Sequence, residues 1–481
     1  MKHLLFLISF IPAVLIGQNC DCSAQMDFLI KTFSENDAGF QYVLDQKGDA
    51  AYQQHNQAMR AKAKQTSNAA RCHEIMIEWT AFFRAGHIGI VFNPSTAEEA
   101  ASANPSKAEI RAMYQDAPRL EVDIPAFKSY VAGLEDPGLE GIWQSGNYTV
   151  GIKKEGEDHI GFVINADSLY WFDKQIKLTV YGARGKGMEY LMRDHSVQKM
   201  DAPSLIGRAI LQTGWISWQR VFPEIEPEPE AMRYISLMQT DAPVFQEISD
   251  QTTLLRIPSF NIGNKAVIDS LIATHHDALA SHPNLIIDLR DNGGGSDASY
   301  GKLIPYLYTN PIRVVGVELL STPLNNGRME QFMSHPDFSE SDRAWAKESL
   351  DKLNEHLGEF VNLNDGVVDM VEEEKVMPYP EQVAILINEN NGSTTEQFLL
   401  AAKQSKKVKL FGTTTTGVLD ISNMHNVPFP DPQFTLWYSL SRSMRIPHMT
   451  IDGKGIQPDY YLADDIPPYH WISHVEDILN Q

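Results

Sequence analysis

Two continuous aliphatic runs in the second half of the chain constrain its fold most strongly. Leu285–Ile287 and Val383–Ile387 lack the polar alternation of a half-exposed strand. Such runs are typical of parallel strands that helices bury on both faces. Helical patterns at Ala266–Ala280 and Thr394–Ser405 alternate with these runs along the chain. The sequence therefore predicts an α/β domain with a largely parallel sheet.

Composition narrows the class of protein. The chain has 481 residues, 43% hydrophobic and 21% charged, which is ordinary globular usage and room for two to four domains. The formal net charge of -22 repels phosphate backbones, so we expect no nucleic acid partner. Three cysteines exclude a disulfide scaffold and a four-thiolate zinc site.

The first 18 residues resemble a secretory signal peptide. Lys2 and His3 precede an apolar stretch, Leu4–Gly17, which is too short to cross a bilayer. No later segment has eighteen consecutive apolar residues, so we expect an exported protein, periplasmic or extracellular, with no membrane span after signal removal. In an oxidising compartment, a disulfide between Cys22 and Cys72 is the preferred pairing; three unpaired thiols remain the alternative.

Changes of pattern along the chain predict its domains. Residues 19–90 are rich in helix formers and read as an N-terminal helical domain. Residues 91–138 carry turn residues and are interpreted as a connector, and 139–223 contain short alternating runs that predict a small antiparallel β-module. An acidic, proline-containing linker, Glu224–Glu230, leads to the α/β domain at 231–481.

Two loops at predicted strand ends carry the chemistry, because ligands in open α/β sheets bind beyond the carboxyl ends of strands. The first loop, Asp288–Gly295, contains three consecutive glycines whose N–H groups could converge on an anion. It lacks the Gly-Lys-Ser/Thr pattern of a phosphate loop, and a simple glycine-rich turn is the alternative.

The second loop ends in a candidate nucleophile. Ser393 would lie at a helix start, where unpaired N–H groups and the helix dipole stabilise developing negative charge. Ser393 and Glu396 also match a capping box, in which both side chains would only satisfy helix N–H groups. The isolated pattern does not decide between the two interpretations.

Three motifs together resemble the tail-specific, or C-terminal processing, serine peptidase family. Asp288–Gly295 is similar to its D-L-R-x-N-x-G-G signature, and Ser393–Glu396 is similar to its nucleophile segment. Gly455–Asp459 resembles its closing G-I-x-P-D motif. The order and spacing of the three motifs across residues 250–465 make a chance match improbable.

The resemblance implies a fold and a reaction. The fold would be the spiral α/β fold of crotonase-like and ClpP-like enzymes, and the reaction would be cleavage of a peptide or protein substrate through an acyl-enzyme. Ser393 would be the nucleophile. The amides of Thr394 and of Gly294 would form the oxyanion hole, of which one lost donor typically costs on the order of a hundredfold in rate.

The general base departs from the commonest family pattern. The segment Gly412–Val418, where many members carry a catalytic lysine, has none. Phe82–Gly89 is instead similar to the L-x-D-G-H-T segment of the tricorn-core-like branch, although Ala85 stands where that branch has Asp. His87 is therefore the predicted base, since imidazole titrates near neutrality.

An orienting carboxylate should complete the site. Asp452 lies just before the closing motif, where family members often carry an acid, and Asp420 is the second candidate. A solvated surface acid is the alternative for either residue. The family's usual peptide-binding PDZ domain is not recognisable in residues 139–223.

The sequence predicts neither a metal site nor a cofactor. Two other functions remain compatible with the same fold: a non-catalytic protein that binds an apolar ligand or a peptide, and a serine esterase. The natural substrate and the oligomeric state are not predicted.

Overall fold

The computed structural model describes residues 20–93, 106–182, 187–336, 338–364, 366–462 and 465–481. The predicted signal peptide, residues 1–18, lies outside the described residues. Among the described residues, no helix has the length and apolar character that crossing a membrane requires.

The helices are α1 (Cys22–Asn36), α2 (Phe40–Lys47), α3 (Asp49–Ala63), α4 (Ala69–Thr80), α5 (Lys107–Tyr114), α6 (Ile124–Ala132), α7 (Pro229–Met238), α8 (Ile262–Thr274), α9 (His276–Leu279), α10 (Ile304–Leu307), α11 (Pro323–Ser334), α12 (Glu340–Asn354), α13 (Thr394–Ala402) and α14 (Trp471–Leu479). The strands are β1 (Gly89–Phe92), β2 (Gly141–Ser145), β3 (Tyr148–Glu155), β4 (Asp158–Asn165), β5 (Ile176–Val180), β6 (Met188–Leu191), β7 (Val197–Met200), β8 (Ser204–Ile206), β9 (Ile210–Thr213), β10 (Ile216–Phe222), β11 (Val244–Glu247), β12 (Thr252–Arg256), β13 (Asn284–Asp288), β14 (Ile312–Val315), β15 (Val317–Leu320), β16 (Phe360–Val361), β17 (Val368–Val371), β18 (Gln382–Ile387), β19 (Val408–Gly412), β20 (Ile421–Pro428), β21 (Phe434–Ser443) and β22 (Tyr460–Tyr461).

The predicted parallel sheet is present. Its strand order is β11-β12-β13-β18-β19-β22, and the pairs from β12 to β22 are parallel. The two aliphatic runs form the central strands β13 and β18, in which Leu285–Ile287 and Val383–Ile387 are almost completely buried. The predicted α/β class, with N-terminal helices and a separate antiparallel module, is confirmed.

A second sheet in the same region was not predicted. It is antiparallel, with the order β1-β21-β15-β16 and with β20 also paired to β21. Its strands come from segments scattered between residues 89 and 443. Pairing between such distant segments is decided by tertiary packing and leaves little local signal.

The four N-terminal helices do not form a domain of their own. Residues 20–93 belong to the same compact unit as 247–461, whereas the sequence placed a boundary at residue 90. Met26, Phe33 and Trp79 share one core with Phe434 and Tyr438 of β21. The helices therefore bury their apolar faces on the antiparallel sheet, because four short helices alone would leave those faces partly exposed.

The second compact unit contains the predicted antiparallel β-module. Strands β2 to β10 form one sheet in the order β7-β6-β5-β4-β3-β2-β10-β9-β8, around a core that includes Trp143 and Trp218. This unit comprises residues 96–246 and 462–481, so the C-terminal helix α14 belongs to it. The sequence had assigned that helix to the α/β domain.

The preferred disulfide is formed. Cys22 on α1 bonds to Cys72 on α4, while Cys20 is a buried free thiol. The bond closes a loop of 50 residues in sequence, which restricts the unfolded chain. It therefore fastens the first of the four helices to the last.

The disulfide should contribute measurable stability. We expect the double variant Cys22→Ala/Cys72→Ala to lose about 2–5 kcal/mol of unfolding free energy, measured by chemical denaturation. A reductant should destabilise the wild type by a similar amount and leave the double variant unchanged. Equal sensitivity of both proteins to reductant would contradict the assignment.

Candidate active site

The order of the central strands brings the two predicted loops together. β13 and β18 are adjacent and parallel, with Asp288 paired to Leu386, so both strands end at the same edge of the sheet. Side-chain amides then join the loops: Asn388 donates to Asp291 at 2.8 Å, and Asn391 donates to the Asn292 carbonyl at 3.0 Å. The chemistry of both motifs is therefore concentrated at one place.

A buried ion pair anchors the first loop. The Arg290 side chain donates to Asp288 through Nε at 2.9 Å and through a terminal nitrogen at 2.7 Å, and Arg256 donates to the Arg290 carbonyl at 2.6 Å. Burial alone would raise the pKa of Asp288, but Arg290 and Arg256 hold that pKa below its usual range. The carboxylate stays charged and fixes the start of the loop.

The structure corrects the prediction for Gly294. Its N–H donates to Asn292 Oδ1 at 3.0 Å, so this amide is already used inside the loop. Gly294 packs so closely on the nucleophile segment that an added Cβ would lie 2.8 Å from Ser393 Cβ. The next residue, Gly295, lines the cavity beside Ser393 and Thr394. Among the described residues, the amides of Gly295 and Thr394 have no hydrogen-bond partner.

Ser393 does not form the capping box that its sequence also allowed. Its backbone has φ 56° and ψ -126°, and its side chain makes no capping hydrogen bond to α13. A non-glycine residue rarely adopts this conformation because it is strained. Residues with such strained backbones are often found at functional sites. The Ser393 N–H donates to the Val418 carbonyl at 3.1 Å, which helps to hold the segment in place.

Glu396, the other member of the expected capping box, has a different role. This fully buried carboxylate accepts hydrogen bonds from the Thr415 hydroxyl at 2.5 Å and from the amides of Gly417 and Val418 at 2.7 and 2.8 Å. Burial raises its pKa, while these hydrogen bonds lower it. Glu396 thus ties the helix that begins at Ser393 to the segment where many relatives carry lysine.

The structure places His87 beside Ser393. The distance from His87 Nε2 to Ser393 Oγ is 3.0 Å, although the residues are 306 positions apart in sequence. His87 Nδ1 lies 2.6 Å from the Ile421 carbonyl oxygen, which can only accept a hydrogen. Nδ1 must therefore carry the proton, which leaves the Nε2 lone pair directed at the serine hydroxyl.

A partly buried arginine holds the turn that carries His87. Arg84 donates to the Asp37 carboxylate at 2.7 and 2.5 Å, and to the carbonyls of Gly86 and His87 at 3.1 and 2.9 Å. The Ser439 hydroxyl also donates to the His87 carbonyl at 2.9 Å. These bonds support the turn although Ala85 replaces the Asp of the similar motif.

Neither candidate acid, Asp452 or Asp420, forms a hydrogen bond with the His87 ring. Asp452 accepts hydrogen bonds from the amides of Leu419 and Asp420, both at 2.6 Å, and from Ile421 at 3.3 Å. Asp420 instead accepts from Arg445 Nε at 2.9 Å and from the amide of Asp452 at 2.9 Å. Asp452 therefore positions the segment whose Ile421 carbonyl accepts the hydrogen bond from His87 Nδ1.

Burial dominates the titration of His87. Removal from water lowers its pKa below the ordinary 6.5, the hydrogen bond to Ile421 raises it, Arg84 lowers it and Asp452 raises it. Burial also raises the pKa of Asp452, while its amide partners lower it. The net result is a neutral imidazole at pH 7, which is the form that a general base requires.

A cavity of about 530 Å³ opens beside the serine and the histidine. Part of its lining is apolar and comes from β15, β20 and the loop before β20: Val317, Met424 and Leu419. Besides His87, three ionisable side chains also line it: Asp297, Arg328 and Arg445. Of the described residues around it, none is a lysine. Lys403 and Lys407 point to backbone carbonyls elsewhere.

The fold and this geometry define a serine hydrolase on an α/β scaffold. Residues 251–462 match the family described as Peptidase family S41, and the chain carries a domain of this family of tail-specific serine peptidases. The predicted family and the predicted enzyme class, a serine peptidase, are therefore confirmed.

Solved structures give the same fold. Mature CPAF complexed with lactacystin is 14% identical, with 95% of this chain and 98% of that chain covered and a TM-score of 0.51. A serine-to-alanine mutant of CPAF is 12% identical, with 95% and 96% covered and a TM-score of 0.51. No curated protein matches the sequence.

Several residues of the site were not found from the sequence. Arg84 lies inside the segment used to identify His87, but nothing local shows that Asp37 would bind it. The Ile421 carbonyl is a backbone group, which has no sequence signal at all. Asp297 and Arg328 belong to no motif and reach the cavity only through the tertiary fold.

The two charges near His87 should shift its titration in opposite directions. A histidine base acts in its neutral form, so with His87 as the predicted base kcat/KM should rise as His87 loses its proton, with the acid limb of the pH profile below 6.5. Asp452→Asn removes a charge that raises the pKa of His87, so the limb should move to lower pH. Arg84→Met should move it to higher pH.

As a control, Arg343→Met replaces an exposed arginine on α12 and should leave the pH profile unchanged. Arg84→Met leaves the buried Asp37 without its ion-pair partner, so Arg84→Lys serves as the variant that retains the charge. If the acid limbs of Asp452→Asn and Arg84→Met moved in the same direction, the proposed electrostatics would be contradicted.

Proposed function

We propose that this protein is an exported serine endopeptidase that cleaves peptide bonds through an acyl-enzyme, with Ser393 as nucleophile and His87 as general base. The observation that carries the proposal is the 3.0 Å contact between His87 Nε2 and Ser393 Oγ, together with the Nδ1 hydrogen bond that fixes the tautomer. A purely ligand-binding protein on this fold would have no need of that pair.

In the first step, Ser393 Oγ attacks the carbonyl carbon of the scissile peptide bond while its proton moves to His87 Nε2. The resulting imidazolium keeps its Nδ1 hydrogen bond to Ile421 and then gives the Nε2 proton to the leaving amine. A water molecule, activated by the same nitrogen, hydrolyses the acyl-enzyme and restores the serine hydroxyl.

The negative charge of the tetrahedral intermediate requires nearby donors. The amides of Thr394 and Gly295 are suited to this role, because both residues line the cavity beside Ser393. Thr394 is also the first residue of α13, where the helix dipole favours negative charge. This assignment keeps Thr394 from the sequence prediction and replaces Gly294 by its neighbour.

Asp452 acts in this proposal as a positioning residue. In a direct triad the carboxylate would bind the imidazole, whereas here the Ile421 carbonyl occupies Nδ1. Asp452 holds that segment by its amides, and its charge favours the imidazolium form across the intervening backbone. Both effects would stabilise the protonated histidine during the reaction.

Export is supported by the predicted signal peptide and by the Cys22–Cys72 disulfide, since such bonds persist in oxidising compartments. Expression of the full chain in a bacterial host followed by mass spectrometry of the mature N-terminus tests it. We expect cleavage close to residue 18 and recovery from the periplasm or medium. An intact N-terminus in the cytoplasm would contradict export.

Replacement of the nucleophile is the central test. Ser393→Ala should reduce peptide hydrolysis by at least 10⁴-fold and abolish labelling by a fluorophosphonate, because both need the activated hydroxyl. The free energy of unfolding should change by only about 1 kcal/mol, since the Ser393 side chain makes no capping bond.

The matched control is Ser334→Ala, which removes an exposed serine hydroxyl on α11 and should retain full activity and labelling. Peptide turnover that persists in purified Ser393→Ala protein would overturn the proposed nucleophile. Labelling at a different serine, identified by peptide mapping, would do the same.

A further inference from the structure

Arg328 contributes an unusual positive charge to the cavity. It lies on α11 and lines the same cavity as Ser393 and His87. Its side chain is partly buried, and its guanidinium lies 5.0 Å from the centre of the Phe332 ring. Within the described part of the chain it has neither a carboxylate partner nor a hydrogen bond.

The other charged groups of the cavity are already accommodated. Arg445 forms an ion pair with the buried Asp420 at 2.9 Å. Burial raises the pKa of Asp297, which disfavours its charged form, and the nearby Thr394 side chain opposes only part of that shift. Asp297 forms no ion pair with Arg328. The charge of Arg328 therefore remains uncompensated within the cavity.

A guanidinium that has lost part of its water is unfavourable unless a partner supplies the missing hydrogen bonds. Burial accordingly lowers the pKa of Arg328, with no nearby carboxylate to oppose the effect. A bound carboxylate would restore the lost hydrogen bonds, and the planar fork of arginine matches a carboxylate with two parallel N–H donors. The attraction between the guanidinium and the carboxylate is strongest when the ligand also excludes water from the cavity.

We propose that Arg328 is a specificity-determining residue, which binds a carboxylate of the peptide substrate close to the scissile bond. The proposal rests on the peptidase function proposed above and names the substrate class: peptides with an acidic side chain, or a free C-terminal carboxylate, within reach of this cavity. The carboxylate chemistry is common to the two sources.

A matched peptide series separates the two sources. One fluorogenic peptide is made in a neutral form with an amidated C-terminus, in forms with a single Glu at each position around the cleaved bond, and in a neutral form with a free C-terminus. In the wild type we expect kcat/KM for one carboxylate form to exceed its neutral match, Gln or amide, by roughly tenfold to a hundredfold. The peptide that shows the preference identifies the source.

Arg328→Gln should reduce that preference to about one while leaving turnover of the neutral peptide within about threefold, because only the carboxylate contact is lost. Arg328→Lys keeps the charge without the planar fork and should retain part of the preference. Arg313→Gln, an exposed arginine on β14 outside the cavity, should behave as wild type. Fluorophosphonate labelling of each variant shows that its site is folded.

Equal kcat/KM for carboxylate and neutral peptides in the wild type would overturn the proposal without any variant. A preference that persists in Arg328→Gln would also overturn it. Binding of the same peptides to Ser393→Ala separates this proposal from the catalytic one. Carboxylate-selective binding to Ser393→Ala that is lost in Ser393→Ala/Arg328→Gln would support the anion site. If the wild type also hydrolysed none of the peptides, the peptidase function would be rejected while the anion site stood.

Discussion

The active site depends on one constraint: an imidazole that enters from the N-terminal helices must be held against a serine that follows a buried strand. His87 and Ser393 both have positive φ angles, 53° and 56°, which residues other than glycine rarely adopt. Such conformations persist only where the surroundings over-determine them. Here the Arg84–Asp37 ion pair holds one residue, and the packing of Gly294 and the bond to Val418 hold the other.

This arrangement explains why the N-terminal helices are not a separate domain. Their core is continuous with that of the antiparallel sheet, and Asp37 accepts a hydrogen bond from the Ser439 amide at 3.1 Å in addition to binding Arg84. Strand β21 of this sheet therefore helps to hold the turn that carries His87, because Ser439 bonds to both Asp37 and the His87 carbonyl. A helical domain on a flexible linker could not keep a hydrogen-bonding distance of 3.0 Å to Ser393.

Backbone groups take over roles that side chains have in a direct triad. The Ile421 carbonyl sets the tautomer of His87, and Asp452 holds the amides of that segment. On the opposite side, Asn292 accepts from Gly294 and from the Thr395 hydroxyl, which joins the glycine loop to the helix of the nucleophile. A chain without the family lysine thus holds a histidine beside the candidate serine, and hydrogen bonds join the glycine loop to the helix that follows this serine.

The sequence by itself determined the parallel strands and the two loops at their ends, and it singled out Ser393 and His87 as candidates, because aliphatic runs, glycine clusters and short motifs are local patterns. It also determined the family and the antiparallel module. Only the tertiary structure decided that Ser393 binds His87 and does not cap its helix, that the Gly294 amide is already used, and that Asp452 acts through Ile421. Those outcomes depend on hydrogen bonds and packing between residues hundreds of positions apart, for which no single stretch of chain carries a signal.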